Sequence, residues 1–324
     1  MRRRDFVVGA GATAIGAFAA RAQTMPSIGF LSARSPVESA GLLAAFRRGL
    51  VENGTVENQN VTIDYRWALG DYERLPAMAS ELVRRPVDLL VTVGGEAAMR
   101  AAIAATKTIP IVGIFADDPV ASGLVASLNR PGGNTTGVFN FNPALEPKRV
   151  GLLHELVPQA ATIGVLVNPN YPPAAHQLEG VEEAARTIGM GTVALRASTD
   201  GDIDTAFETA IHERIRVLAV TSDPFFNTRS EKLVGLAARH AVPAVYPFRE
   251  YVSAGGLMSY GVDLGAMYRQ VGVYAAQVLK GVKPADLPIM QPIKFELAIN
   301  LRAAKALGLT IPVALLASAD ETVE

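Results

Sequence analysis

Residues 109–137 read IPIVGIFADDPVASGLVASLNRPGGNTTG, and the fold turns on their interpretation. The run from Ile109 through Pro110 to Phe115 is too short for a helix and apolar on both faces, as a central strand of a parallel sheet must be. It ends in Asp117 and Asp118. Pro119 suits the first turn of a helix, and Val120, Leu124, Val125 and Leu128 recur at helical spacing. Carboxylates therefore stand where strand gives way to helix, the edge of an open α/β sheet at which ligands bind. The RPGGN of 130–134 breaks the chain before a strand predicted over 135–139.

Upstream, strand patterns over 27–31, 61–67 and 87–93 alternate with helical patterns over 38–51, 71–85 and 94–107. That alternation means βαβ units and a parallel sheet. Downstream the series begins again. The Ile-Gly-x-Leu of Ile28 returns at Ile163, 135 residues later. A helix over 173–188, a strand over 192–195, a helix over 204–213 and strands over 215–220 and 240–246 follow at matching offsets.

One half used twice gives two doubly wound parallel-sheet lobes around a central cleft, the geometry of hinge closure. Crossovers are expected near 140–143, 260–263 and 284–288. The first lobe then comprises 23–140 and 262–284, the second 141–261 and 285–324. A helix over 264–280 returns to the first lobe, and a strand over 294–299 with a helix over 301–307 returns to the second.

The chain has 324 residues, 49% of them hydrophobic, a net charge of −1 and no cysteine. Near-neutral charge removes the electrostatic case for nucleic acid, and absent cysteine excludes disulfides, thiolate metal sites and a lipid-modified N-terminal cysteine. Arg2, Arg3 and Arg4 precede a weakly apolar run over 7–20, and Ala20-Arg21-Ala22 offers the small residues of a cleavage site. Residues 1–22 read as an export signal, with the mature chain starting near Gln23 and the expected location periplasmic. Arg3-Arg4-Asp5-Phe6 resembles a twin-arginine signal; an ordinary secretory signal with a basic start is the alternative. Gly9-Ala10-Gly11 mimics a dinucleotide fingerprint, but no strand precedes it. His154, His176, His212 and His240 are isolated, with no metal-ligand spacing. Neither a cofactor motif nor a nucleophile elbow is present.

Two longer runs carry a resemblance. The first is Asp118-Pro119-Val120 with Gly123-Leu124-Val125, then Arg130-Pro131-Gly132-Gly133-Asn134 with Thr136-Gly137. The second is FELAINL at 295–301 through AKALGLTIP at 304–312, with Ala319-Asp320-Glu321 near the end. Together they resemble the ABC-transporter substrate-binding proteins of tryptophan/tyrosine type. The resemblance implies a type I periplasmic-binding fold, delivery of a small solute to a membrane permease, and no catalysis; a monomer is expected. The implied ligands are aromatic amino acids or other small organic solutes. One departure is Glu96, where relatives often carry a small hydroxyl or amide residue.

Candidate ligand contacts follow from the strand ends. Ser32 and Arg34 follow the first strand, and Asn168, Asn170 and Tyr171 follow its copy. Gly94 and Gly95 open a helix whose amides and dipole suit an anion, or else a tight turn in which Glu96 takes those amides. Asp117 is read as facing the cleft to accept from a ligand amine, with Asp118 as the helix cap. Asp223 and Phe226 follow the second third-strand, and Phe225 with Phe226 reads either as a stacking wall or as core. Tyr246 and Arg249 occupy the counterpart of the Asp117 loop, where Arg249 either forks onto a carboxylate or pairs across lobes. Asn140, Tyr260 and Asp263 lie by crossovers. Two rival classes are an exported enzyme using Asp117 and Asp223 as an acid–base pair, and the sensing core of a receptor.

Overall fold

The structure, a computed structural model, describes residues 25–140, 145–292 and 294–324. The segment read as an export signal and most of the first expected crossover lie outside the described residues. The first half runs β1 (Ser27–Ser32), α1 (Ala40–Glu52), β2 (Thr62–Trp67), α2 (Leu75–Val83), β3 (Leu89–Val93), α3 (Glu96–Ala105), β4 (Ile111–Phe115) and β5 (Thr135–Phe139). Its strands form one parallel sheet in the order β2-β1-β3-β4-β5, with Ile28 level with Ile63 on one side and Leu89 on the other. β3, β4 and β5 are buried at every residue, which is why their sequences are apolar without alternation.

The second half runs α4 (Glu146–Leu156), β6 (Thr162–Val167), α5 (Ala174–Thr187), β7 (Gly191–Arg196), α6 (Asp200–His212), β8 (Val217–Val220), α7 (Pro224–Asn227), α8 (Ser230–Arg239), β9 (Ala244–Tyr246), α9 (Arg249–Ser253) and β10 (Met258–Val262). The chain ends with α10 (Leu264–Leu279), β11 (Phe295–Asn300), α11 (Leu301–Ala306), α12 (Val313–Ser318) and β12 (Glu321–Val323). The second sheet is ordered β12-β11-β10-β9-β8-β6-β7, with only β11 antiparallel to its neighbour β10. β2-β1-β3-β4 and β7-β6-β8-β9 are thus the same arrangement twice. In each, strand order reverses beside the first strand, and the crevice at that switch point is where an open sheet binds ligands.

α10 lies against α1 at a separation set by glycine. A Cβ on Gly49 would stand 1.9 Å from the Arg269 carbonyl oxygen, and one on Gly272 would stand 2.1 Å from that of Phe46. Only glycine permits that approach, so α10 is joined to the first sheet although β10 and β11 on either side belong to the second.

Several expectations change. The helix predicted after Pro119 is a single turn: Ser122 N–H donates to the Asp118 carbonyl, and Gly123, at φ +69°, ends it in the left-handed region. Asp118 still caps that turn, accepting from Val120 and Ala121. α6 starts at Asp200 rather than 204 because Thr199 and Asp202 form a capping box. β10 occupies 258–262 and ends at Val262, after which α10 packs on the first lobe. The chain also stays with the first sheet beyond 284–288: Thr136 Oγ1 donates to the Leu287 carbonyl, and Met290 bridges to Val138.

Candidate functional site

The strand tips of the two sheets face each other and touch. Tyr171 of the second lobe accepts from the Glu96 amide of the first at 3.2 Å, and Tyr72 of the first accepts from the Phe225 amide of the second at 3.2 Å. His176 Nδ1 lies 3.0 Å from Asp117 Oδ1 across the same gap. The Tyr72 and Tyr171 rings stand 5.7 Å apart at this contact. One open space, a vestibule of about 680 Å³, is lined by Tyr72, Asn168, Asn170, Phe225 and Arg229 among others. A second, a chamber of about 30 Å³, is lined by Tyr171 among others. The vestibule is larger, but the chamber is the one at the switch points of both sheets.

The first lobe contributes Arg34, Gly94, Gly95, Ile114, Asn140 and Tyr268 to the chamber. Tyr171, Ser222, Pro224, Asn227 and Phe248 face them from the second. Gly94 and Gly95 adopt φ +73° and +105°. A Cβ on Gly95 would meet Pro224 and Tyr171 of the other lobe at 2.7 and 2.8 Å, so glycine is what lets the lobes approach here.

Arg34 is the chamber's cation. Its residue is 4% exposed and its Nε is buried without a hydrogen-bond partner. Glu38 stands 3.9 Å from it, too far for a hydrogen bond, with its carboxylate engaged by Ser35. Burial pushes the Tyr268 hydroxyl up to about 12, while Arg34 and the Gly94 amide pull the other way.

The acids near the cleft are committed elsewhere. Glu96 is fully buried; its Oε2 accepts from the Ala116 amide at 3.1 Å and its Oε1 lies 3.2 Å from Arg100 Nε. Burial raises its pKa, and those partners limit the rise. Asp223 caps α7 by accepting from Phe226 N–H. Burial lifts it to about 6, held back by the neighbouring Tyr72 hydroxyl and Asn168 amide, and its Oδ2 is buried with no hydrogen-bond partner. Neither Asp117 nor Asp223 lines the chamber, so the acid–base pairing between them has no shared reaction space.

The predicted candidates divide accordingly. Arg34, Gly94, Gly95, Asn140 and Tyr171 come together in the chamber, with Ser32 buried directly behind Gly94. Asn168 and Asn170 line the vestibule instead. Asp117 faces His176 rather than the chamber. Of the pair read as either a stacking wall or core, Phe226 is fully buried and belongs to the core, whereas Phe225, 3% exposed, lines the vestibule with the Arg229 guanidinium 3.9 Å from its ring centre. Tyr246 is buried too, stacked on Tyr251 at 4.7 Å. Arg249 points away from the cleft and pairs with both oxygens of Glu321 on β12. Tyr260 uses its carbonyl to accept from Arg149, and Asp263 caps α10. Asn227 and Tyr268 were missed as site residues, whereas Phe248 of the loop read as the counterpart of the Asp117 loop does line the chamber. Asn227 sits on a one-turn helix with no sequence signal, and Tyr268 reads as one more residue of an apolar helix face.

Residues 31–323 match the ABC transporter substrate binding protein family. A curated relative, the tyrosine-binding protein of Clostridioides difficile (strain R20291), is 29% identical over 264 residues, covering 82% of this chain and 75% of its own. A Streptococcus pneumonia ABC domain in complex with L-Trp superposes with a TM-score of 0.84 at 28% identity, covering 93% of this chain and all of the other. A conserved domain protein from Vibrio cholerae O1 biovar El Tor gives 0.84 at 29% identity over 92% of this chain and all of the other. The ligand-free, open structure of a substrate-binding protein with adhesive properties from Clostridium difficile gives 0.64 at 25% identity, over 92% and 100%. The likeness is greater to the ligand complex than to the open form, in keeping with lobes that touch. The chain belongs to the ABC transporter substrate-binding protein family, whose members bind small organic solutes and are not a family of enzymes.

Proposed function

We propose that this protein is the exported solute receptor of an ABC importer, closing on a small carboxylate-bearing molecule and presenting it to a permease. The single observation that carries the reading is Arg34. A buried guanidinium without a hydrogen-bonded acid is costly, and a ligand carboxylate in the chamber offsets that cost through charge-assisted bonds of roughly 1.5–3 kcal/mol each. Asn140, Asn227 and the Gly94-Gly95 turn complete a polar pocket around it. The curated relative's name and the L-Trp complex support an amino acid as one form of the ligand. Closure follows because contacts from both lobes exist together only when the cleft is shut, so binding shifts the population towards that state. Two observations support export and a soluble receptor: the basic-then-apolar start of the chain, and the lack among the described residues of any helix long and apolar enough to cross a membrane.

The test is titration calorimetry against a library of organic acids and amino acids, with small-angle scattering on each binder. A carboxylate ligand that compacts the wild-type protein is the expected result. A library in which nothing compacts it rejects the receptor reading.

A further inference from the structure

We infer that Glu146 and Arg149 form a buried brace at the base of the hinge, positioning residues that fix how the links between the lobes leave the second lobe and so set the range of opening. The inference goes beyond the ligand reading above. It uses the two lobes and their closure, and no property of the solute.

The chain changes lobes three times: between Phe139 of β5 and Glu146 of α4, between Val262 of β10 and Leu264 of α10, and between Met290 and Phe295 of β11. On the first-lobe side backbone ties the stems together. Phe139 N–H donates to the Met290 carbonyl at 2.9 Å, and Met290 N–H donates to the Gly137 carbonyl at 3.0 Å. On the second-lobe side β10 and β11 are joined by sheet pairing, with Val262 opposite Phe295. The remaining stem is the start of α4, a helix with no strand ladder to hold it, and there side chains make the tie. Arg149 Nη1 donates to Glu146 Oε1 at 2.8 Å within the first turn of α4. Arg149 Nε donates to the Tyr260 carbonyl at 2.8 Å, two residues before β10 ends.

Both side chains of the pair are 0% exposed. Burial lifts Glu146 to about 7 and lowers Arg149, each opposed by the charge of the other. Such a pair adds little to stability over apolar side chains of the same volume. What it supplies is direction, because a planar guanidinium engaged on a carboxylate and a carbonyl fixes α4 relative to β10 more narrowly than apolar packing does. Braced in this way, the second-lobe ends of all three links move as one block, and rotation is confined to the links themselves. Without the brace the open state spreads over more arrangements, and closure costs more entropy.

The chain has no cysteine, so Arg48→Cys in α1 and Thr187→Cys at the end of α5, exposed positions in different lobes, take spin labels at those sites alone. Double electron–electron resonance on the unliganded mature chain reads the distribution of distances between them. Arg149→Met, and the double variant Glu146→Leu with Arg149→Met, are each expected to widen that distribution by roughly half, as freed backbone does. The double variant removes both charges together, so its melting temperature is expected to hold or rise, which separates hinge from fold. A pair that is structural alone would move the melting temperature and leave the distribution as it was. A folded double variant with a distribution no wider than that of the labelled wild type overturns the inference, and so does a double variant that fails to fold. No ligand enters the measurement, so its failure leaves the receptor reading to the calorimetry above.

Discussion

The loops after β1 and after β6 descend from one repeated unit and occupy equivalent sheet tips, yet they hold opposite charge problems. The β1 tip buries a cation, Arg34, whose Nε has no partner. The β6 tip carries Asn168 and Tyr171, whose polar groups are spent: Asn168 on the Asn170 amide and the Asp223 carboxyl, Tyr171 on the Glu96 amide of the facing lobe. Burial raises Asp223 to about 6 and Glu146 to about 7 in the second half, and it also raises Glu96 in the first, where the Ala116 amide and Arg100 limit the rise. Duplication supplied the geometry twice, and divergence gave one copy the group left for a ligand and the other the contacts that shut the door.

The strongest way to break that comparison is Arg34→Met. Removing the cation is expected to weaken a carboxylate ligand found by calorimetry by about a hundredfold, the loss of roughly 3 kcal/mol of charge-assisted bonding. The ligand-free melting temperature should hold or rise, because the charge removed is buried and Glu38, 3.9 Å from its Nε, makes no hydrogen bond to it. Calorimetry and thermal denaturation check both halves, and a fall in melting temperature with affinity intact would make Arg34 structural.

A smaller effect tests the second half. Asp223 and Glu146 are raised by burial, so the folded state binds protons that the unfolded state releases across the interval above the ordinary carboxylate range. Their contribution is full below about pH 4 and is lost as pH rises through about 6 and 7. The melting temperature is therefore expected to be higher at pH 5 than at pH 8. Asp223→Asn keeps an acceptor for the α7 cap and should flatten the part of that decline centred near pH 6. A profile rising from pH 5 to 8 would contradict the assignment.

The smallest effect sharpens the comparison by exclusion. Arg249 sits at the β9 tip, the counterpart of the Asp117 loop, but it is bound to Glu321 on the surface. Arg249→Ala is expected to leave ligand affinity within about twofold and cost less than about 1 kcal/mol of stability, as exposed pairs do. A tenfold affinity loss by calorimetry would return Arg249 to the site.

Particular residues show where sequence reading stops. The apolar runs at Ile28, Val91, Ile111 and Ile163 are strands because only a sheet covered on both faces buries such runs, and the repeated Ile-Gly-x-Leu identified the second lobe. Loops after β1 and β6 were legible as site elements through that symmetry. Phe226 and Tyr246 were not placed correctly, since an aromatic residue in a loop reads alike whether its ring turns to the cleft or the core. Arg249 failed for a related reason, because its partner Glu321 lies 72 residues away on a strand that reaches it only through sheet pairing.

The sequence by itself determined the twin parallel sheets, the carboxyl-edge location of the cleft and the family, because burial period and turn chemistry are local properties of the chain. Tertiary structure alone decided which polar groups are satisfied and how much room remains between the lobes. Those outcomes depend on neighbours brought together from opposite halves, such as Tyr171 against Glu96 and Tyr268 beside Arg34, and no local pattern encodes a distance of that kind.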